Sequence, residues 1–211
     1  MADEFFEMLD DMKLQNVRLF GDLLTPDGAE VLRWDCSYGR YVNWAGQLTA
    51  KVIKEGRPLD LSSNTCRTWI ASAKTKQVID RFAPESVQYF PVEVKGDSEP
   101  YFVTNILRRI ACLDEKLSYV ERTPVDDKKR PDLAGKVSMI LDLHILSGRA
   151  EGEHLFRLDE SAIHVIVSRQ LKEALEQAGI AGVKFESVSA PEIADFRKQF
   201  AERQRQRGNS H

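Results

Sequence analysis

The side chains able to carry out chemistry are few and widely spaced. His144, His154 and His164 recur at ten-residue intervals, with Asp142 close to the first. Two metal ligands sharing a helix face would stand three or four residues apart, as in HExxH. At ten apart they fall on separate elements, so nothing in the spacing requires a shared metal. The apolar neighbours of His144 and His164 favour hydrogen-bonded histidines within strands. Cys112 is the candidate nucleophile, because Arg108 and Arg109 would lower its pKa if they faced it. A histidine from elsewhere would then make it a hydrolase. Its neighbours Ala111 and Leu113 point instead to packing, and the chain has no GxSxG elbow. It also has neither GxGxxG nor GxxxxGK, the usual phosphate-cradling loops. The adjacent acids Asp114-Glu115 and Asp126-Asp127 read as solvated loop charges. Cys36, Cys66 and Cys112 are an odd set without CxxC spacing, which is the usage of reduced thiols in a cytoplasmic protein. These residues predict no catalytic, cofactor or metal site.

Residue types that bind proteins are easier to find. Tyr38, Tyr41 and Trp44 recur every three residues beside Arg33 and Arg40. Aromatic and arginine side chains dominate protein interfaces, although rings of this size also fill cores. The charged run Asp126, Asp127, Lys128 is a second candidate contact. A third is the acidic N-terminal face of Asp3, Glu4, Glu7, Asp10 and Asp11, which would complement a basic partner. The net charge of −3 argues against nucleic acid as the main partner. No apolar run is long enough to span a membrane. The acidic N-terminus lacks the positive start and apolar stretch of a signal peptide, so a cytoplasmic location is expected.

The elements that must hold these residues follow from periodicity. Phe5, Met8, Leu9 and Met12 stand at helical spacing and predict a helix over residues 4–14. Strands are expected over 17–24, 31–34, 48–53, 68–71 and 87–94. Residues 101–110 should return along 87–94 through the Lys95-Gly96-Asp97 turn. Residues 35–46 read as an irregular segment or one helical turn against the body, and 123–135 as an exposed loop or flexible connection. Further strands are expected over 137–146 and 165–167, with a short strand or turn over 154–158. Ser72 and Ser168 are placed to cap helices over 73–82 and from 169 onward. Pro191 would open a last helix striped by Ile193, Phe196 and Phe200, before a basic tail over 203–211.

Two stretches share one plan of strand, serine cap, helix and strand. They align without a gap: Ser72 with Ser168, Lys76 with Lys172, Ile79 with Leu175, Val87 with Val183, and Tyr89 with Phe185. The match leaves open whether these are related halves or two instances of a common unit. The fold class is α+β, a mostly antiparallel sheet with packed helices. Residues 1–58 would pack on a core domain of 59–190, followed by a C-terminal helix and tail over 191–211.

An ordered set of segments carries a family resemblance. They are Gln88-Tyr89-Phe90-Pro91-Val92, Tyr101-Phe102-Val103-Thr104-Asn105, and Cys112-Leu113-Asp114 with Ser118. His154-Leu155-Phe156-Arg157, Val167-Ser168 and Gly179-Ile180-Ala181-Gly182-Val183-Lys184-Phe185 follow. In this order, over residues 59–186, the chain resembles immunity-protein family eleven of bacterial polymorphic toxin systems. The resemblance implies an α+β protein that binds and neutralises a cognate toxin stoichiometrically, without catalysis or cofactor. It implies structural roles for Asn105, Asp114, Ser118, Phe156, Arg157 and Ser168, with Arg157 and Asp114 as a prospective buried pair. The alternatives are a small cysteine- or histidine-dependent hydrolase, or an adaptor for a secreted effector.

Overall fold

The computed structural model of the protein describes residues 4–97 and 99–188. In chain order its elements begin with β1 (Phe5–Asp10), β2 (Leu19–Leu24), the single turn α1 (Arg33–Cys36), β3 (Leu48–Lys54) and β4 (Leu61–Ser63). Next come β5 (Trp69–Ser72), α2 (Ala73–Asp80), β6 (Val87–Val94), β7 (Tyr101–Ile106), β8 (Arg109–Ile110) and β9 (Tyr119–Arg122). The rest are β10 (Val137–Asp142), β11 (Leu155–Leu158), β12 (Val165–Ser168), α3 (Arg169–Gln177) and β13 (Val183–Ser187). The described residues are therefore mostly β, with two short helices, α2 and α3, besides the single turn α1. One sheet has the order β2-β3-β6-β7-β5-β4, a second β13-β1-β12-β11-β8, and β9 and β10 form a separate ribbon. Both large sheets are mixed, because β3 runs parallel to β6 and β8 parallel to β11.

The strand–cap–helix–strand units match in register as well as in plan. In the first, β5 and β6 flank β7 and are antiparallel to it. In the second, β12 and β13 flank β1 in the same way. Ala71 and Pro91 both face Phe102; at the same sequence offset, Val167 and Ser187 both face Phe6. The Ser72 and Ser168 hydroxyls accept from the Thr75 and Leu171 amides at 3.3 and 3.2 Å, satisfying helix-end donors. Lys76 pairs with Asp80 and lies 4.5 Å over the Tyr89 ring; Lys172 pairs with Glu176 and lies 5.0 Å over Phe6. The central strand of the second unit comes from the opposite end of the chain.

Both sheets and both helices line one central core, with Val78, Ile79, Leu171 and Leu175 from the helices and Trp69, Ile106, Leu155 and Val167 from the strands. A second core covers the other face of the larger sheet, around Leu23, Leu48, Phe90 and Val103. A third covers the other face of the smaller sheet, around Phe5, Phe156 and Ile166.

Several expectations are corrected. The helix over 4–14 is instead β1. Phe5 packs into the third core while Phe6 and Met8 pack into the central one, so the strand is apolar on both faces and mimics a helical stripe. The acidic helix face does not exist. Glu7 meets His164 at 2.6 Å, Glu4 pairs with Arg169, Asp10 accepts from the Ser63 amide at 2.8 Å and Asp11 from that of Lys13. Residues 33–36 form a helical turn, with the Asp35 carboxylate accepting from the Leu32 amide at 3.0 Å. The 101–110 strand breaks after Ile106 and resumes as β8 in the other sheet. The strand from Val137 ends at Asp142. Asp3, the helix from Pro191 and the tail lie outside the described residues.

Gly182 joins the two sheets. Its carbonyl accepts from Asp11, and the preceding Ala181 carbonyl accepts from Asp60 and Leu61. Its φ is +117°, and a Cβ there would lie 2.0 Å from the Leu61 carbonyl oxygen. Gly182→Ala is therefore expected to cost about 3 kcal/mol in urea unfolding, at the upper end of the range for overpacking. A midpoint equal to wild type would show that the sheets slide freely past each other here.

Candidate partner-binding strap

After α1 the chain crosses the ends of three neighbouring strands. The Ser37 hydroxyl donates to the Cys66 carbonyl just before β5, at 3.0 Å. The Asn105 amide on β7 donates to the Arg40 carbonyl at 2.8 Å. On β6, Gln88 takes both backbone groups of Val42: its Nε2 donates to the carbonyl at 2.6 Å and its Oε1 accepts from the amide at 3.2 Å. The Asn105 and Gln88 side chains also bond each other at 3.2 Å. Adjacent strands are about 4.8 Å apart, so residues 37–42 span roughly 10 Å of sheet end. Side chains, not a strand ladder, satisfy the backbone of this strap. Trp44 then anchors it by packing on Phe90 in the second core, with ring centroids 4.7 Å apart.

Arg157 fixes the near end of the strap. It is 1% exposed. Its Nε donates to the Ile106 carbonyl at 3.0 Å, one Nη to Ala162 at 2.7 Å and the other to Cys36 at 2.9 Å. These three carbonyls belong to the end of β7, the turn before β12, and the start of the strap. Burial pushes the guanidinium pKa down to about 10, so it still carries its proton at neutral pH. The expected pair with Asp114 does not form, because the Asp114 carboxylate accepts from the Lys116 and Leu117 amides and closes a turn. Gly39 lets the strap approach. Its φ is +64°, and a Cβ would stand 2.9 Å from the Ile106 carbonyl oxygen and 3.3 Å from Arg157 Cδ.

The outer side of the strap carries Tyr38 (39% exposed) and Tyr41 (76%), with Arg40 also exposed. The fold thus brings Tyr38, Arg40 and Tyr41 onto one presented segment and turns Trp44 inward. Asp126, Asp127 and Lys128 are elsewhere, in the loop joining β9 to β10. There the Asp127 carboxylate accepts from the Lys129 and Arg130 amides. The ribbon packs Val120, Val137 and Ile140 on the third core, whereas Val42 and Trp44 pack on the second. Ser118 clips His144 through both backbone groups, at 2.9 and 3.1 Å. Phe156 packs edge-on against Phe5. Sequence reasoning overlooked Gln88 and Gly39 as strap holders; a lone amide in the apolar run Val87–Val94 was the available signal.

The residues of the hydrolase alternative are occupied otherwise. Cys112 is fully buried. Burial, together with the Glu160 carboxylate, pushes its thiol up to about 12, and Arg149 opposes this only weakly. Burial raises Cys36 to about 12 as well. Neither is a thiolate at neutral pH. His144 faces Asp142 at 3.2 Å, His154 faces the Ser168 hydroxyl at 2.8 Å and His164 faces Glu7. Among the described residues, no three His, Cys, Asp or Glu side chains converge on a metal position. Native protein is expected to alkylate at Cys66 alone, with Cys36 and Cys112 reacting only after unfolding; pulsed alkylation with mass spectrometry checks this. Both buried thiols hold their protons more tightly when folded, so stability should fall as pH rises from about 9 toward 12.

Among the described residues no helix is long and apolar enough to cross a membrane. The family model for an immunity protein family (Imm11) matches residues 22–190. No curated protein matches the chain.

Proposed function

The chain belongs to the Imm11 immunity protein family, and from that premise we propose that it neutralises a cognate bacterial toxin by one-to-one binding through the strap. It acts in the cytoplasm, without catalysis or cofactor, by covering the toxin's active site or a surface the toxin requires. The observation carrying this reading is the pairing of exposed Tyr38 and Tyr41 with a backbone held by Arg157, Asn105 and Gln88. A binding segment already fixed in place loses little freedom on docking, so more of its contact energy appears as affinity. Tyrosines suit the task because they offer large amphipathic area with few rotatable bonds. The Asp126–Lys128 loop is assigned a supporting contact at most, since its charges are solvated and such rim charges contribute little.

Co-expression with the toxin encoded beside it is the test. Growth should be restored, and the two proteins should co-elute as a 1:1 complex in size-exclusion chromatography with light scattering. Toxicity that persists with no complex formed would overturn the proposal. A stable complex in which the toxin stays fully active would make the protein an adaptor instead.

A further inference from the structure

Resting on the strap reading, we infer that the strap docks on a carboxylate-rich surface of the toxin, with Arg40 and Arg67 as the residues that read its charge. The chain as a whole is acidic, at −3. Yet residues 36–54 and 61–79 contain no Asp or Glu at all. The Ser37–Cys66 hydrogen bond draws these two acid-free stretches together. Arg67 follows Cys66 directly. Trp69 faces Thr104 in the β5–β7 ladder, and Arg67 sits in the turn that leads into β5, at the strand ends the strap crosses. Arg40 is tied there through its carbonyl to Asn105.

Arg67 is held in an uncommon backbone state. Its φ is +58° in a residue that is not glycine. The buried Asn64 side chain enforces this: its Oδ1 accepts from the Cys66 and Thr68 amides at 2.9 Å each, and its Nδ2 donates to the Gly21 carbonyl at 3.1 Å. Strain of this kind persists only where the surroundings impose it, and it concentrates at binding sites. Here it lifts an exposed arginine beside the strap.

The neighbouring cations are already used. Arg109 pairs with Asp159 at 2.7 Å, and Arg108 pairs with Glu153. Among the described residues, Arg40 and Arg67 make no side-chain hydrogen bond or ion pair, and both are exposed. A guanidinium matches a carboxylate with two parallel hydrogen bonds. Two such groups beside Tyr38 and Tyr41 have the composition of a hot spot for an acidic protein surface. A nucleic-acid backbone is disfavoured, because tracking phosphates needs an extended basic stripe, and the described side chains here supply two free charges.

The experiment compares Arg40→Glu/Arg67→Glu, Arg40→Lys/Arg67→Lys and Tyr38→Ala/Tyr41→Ala proteins against the purified toxin. It uses surface plasmon resonance at several salt concentrations, with melting curves confirming that each variant is folded. The charge reversal should slow association by about tenfold or more and flatten its salt dependence, whereas the lysine pair keeps that dependence. Acid-to-lysine changes on the toxin should recover the reversed variant. If the charge-reversed protein binds like wild type while the tyrosine variant does not bind, the acidic-surface inference fails and the strap reading stands. If neither variant changes binding, both fail. If charge reversal abolishes binding of a single-stranded oligonucleotide but not of the toxin, the patch serves nucleic acid and the inference is overturned.

Discussion

Arg157→Met should lower unfolding free energy by about 3–5 kcal/mol, the largest stability loss expected of any single substitution in this protein. The side chain serves three carbonyls, Ile106, Ala162 and Cys36, that no other group replaces. Each buried acceptor left without a donor costs on the order of 1–3 kcal/mol. Methionine restores most of the volume, so the loss reports hydrogen bonding more than a cavity. Arg157→Lys keeps the charge but cannot reach three directions from one ammonium, and should still lose about 2 kcal/mol. Urea unfolding measures both. Amide exchange adds a local readout, because residues 36–42 should lose protection first in either variant. An Arg157→Met protein within about 0.5 kcal/mol of wild type would mean that water satisfies these carbonyls and that the strap is held from its other end.

Tyr38→Ala/Tyr41→Ala should weaken toxin binding by about 100-fold, or about 2.7 kcal/mol, while leaving stability within about 0.5 kcal/mol of wild type. The two rings are the large side chains on the outer side of the strap, and central aromatic anchors carry a disproportionate share of interface energy. The loss should appear mainly as faster dissociation. Calorimetry together with growth rescue would measure it. Unchanged affinity in a folded double variant would move the interface off the strap, with the β9–β10 ribbon and its exposed Met139 and Leu141 next to be tested. The two predictions separate cleanly, since one residue holds the strap from inside and the other two are what it presents.

Much of the scaffold was legible because its signals are local. Ser72 and Ser168 announce their helices by type and position, and the Lys95-Gly96-Asp97 turn announces the β6–β7 hairpin. The ungapped match of the two units was also visible. Its third strand was not, because β1 fills the β7 position from more than 150 residues away in the chain. Phe5, Met8, Leu9 and Met12 mimic a helical stripe for a physical reason: a strand with Phe5 in one core and Phe6 and Met8 in another loses the alternation that identifies strands. The tyrosines were picked out by type alone. What holds them on one presented segment is Arg157, Asn105 and Gln88, polar side chains whose types alone do not announce that they sit inside. Their burial depends on where β7 leaves one sheet and β8 enters the other, and no local pattern encodes that crossing.

The position of β1 also sets a schedule. The ribosome makes Phe5–Asp10 more than 150 residues ahead of both neighbours of that strand, β12 and β13. At synthesis rates of about 5–20 residues per second the wait is on the order of 10 s. Throughout it, two phenylalanines and two open strand edges remain available to chaperones, proteases or another nascent chain. A transcript cut short before Val165 would yield a chain whose opening strand never finds its place. The interval that matters for this fold therefore ends only when β12 and β13 have both left the ribosome, since the smaller sheet cannot close before then.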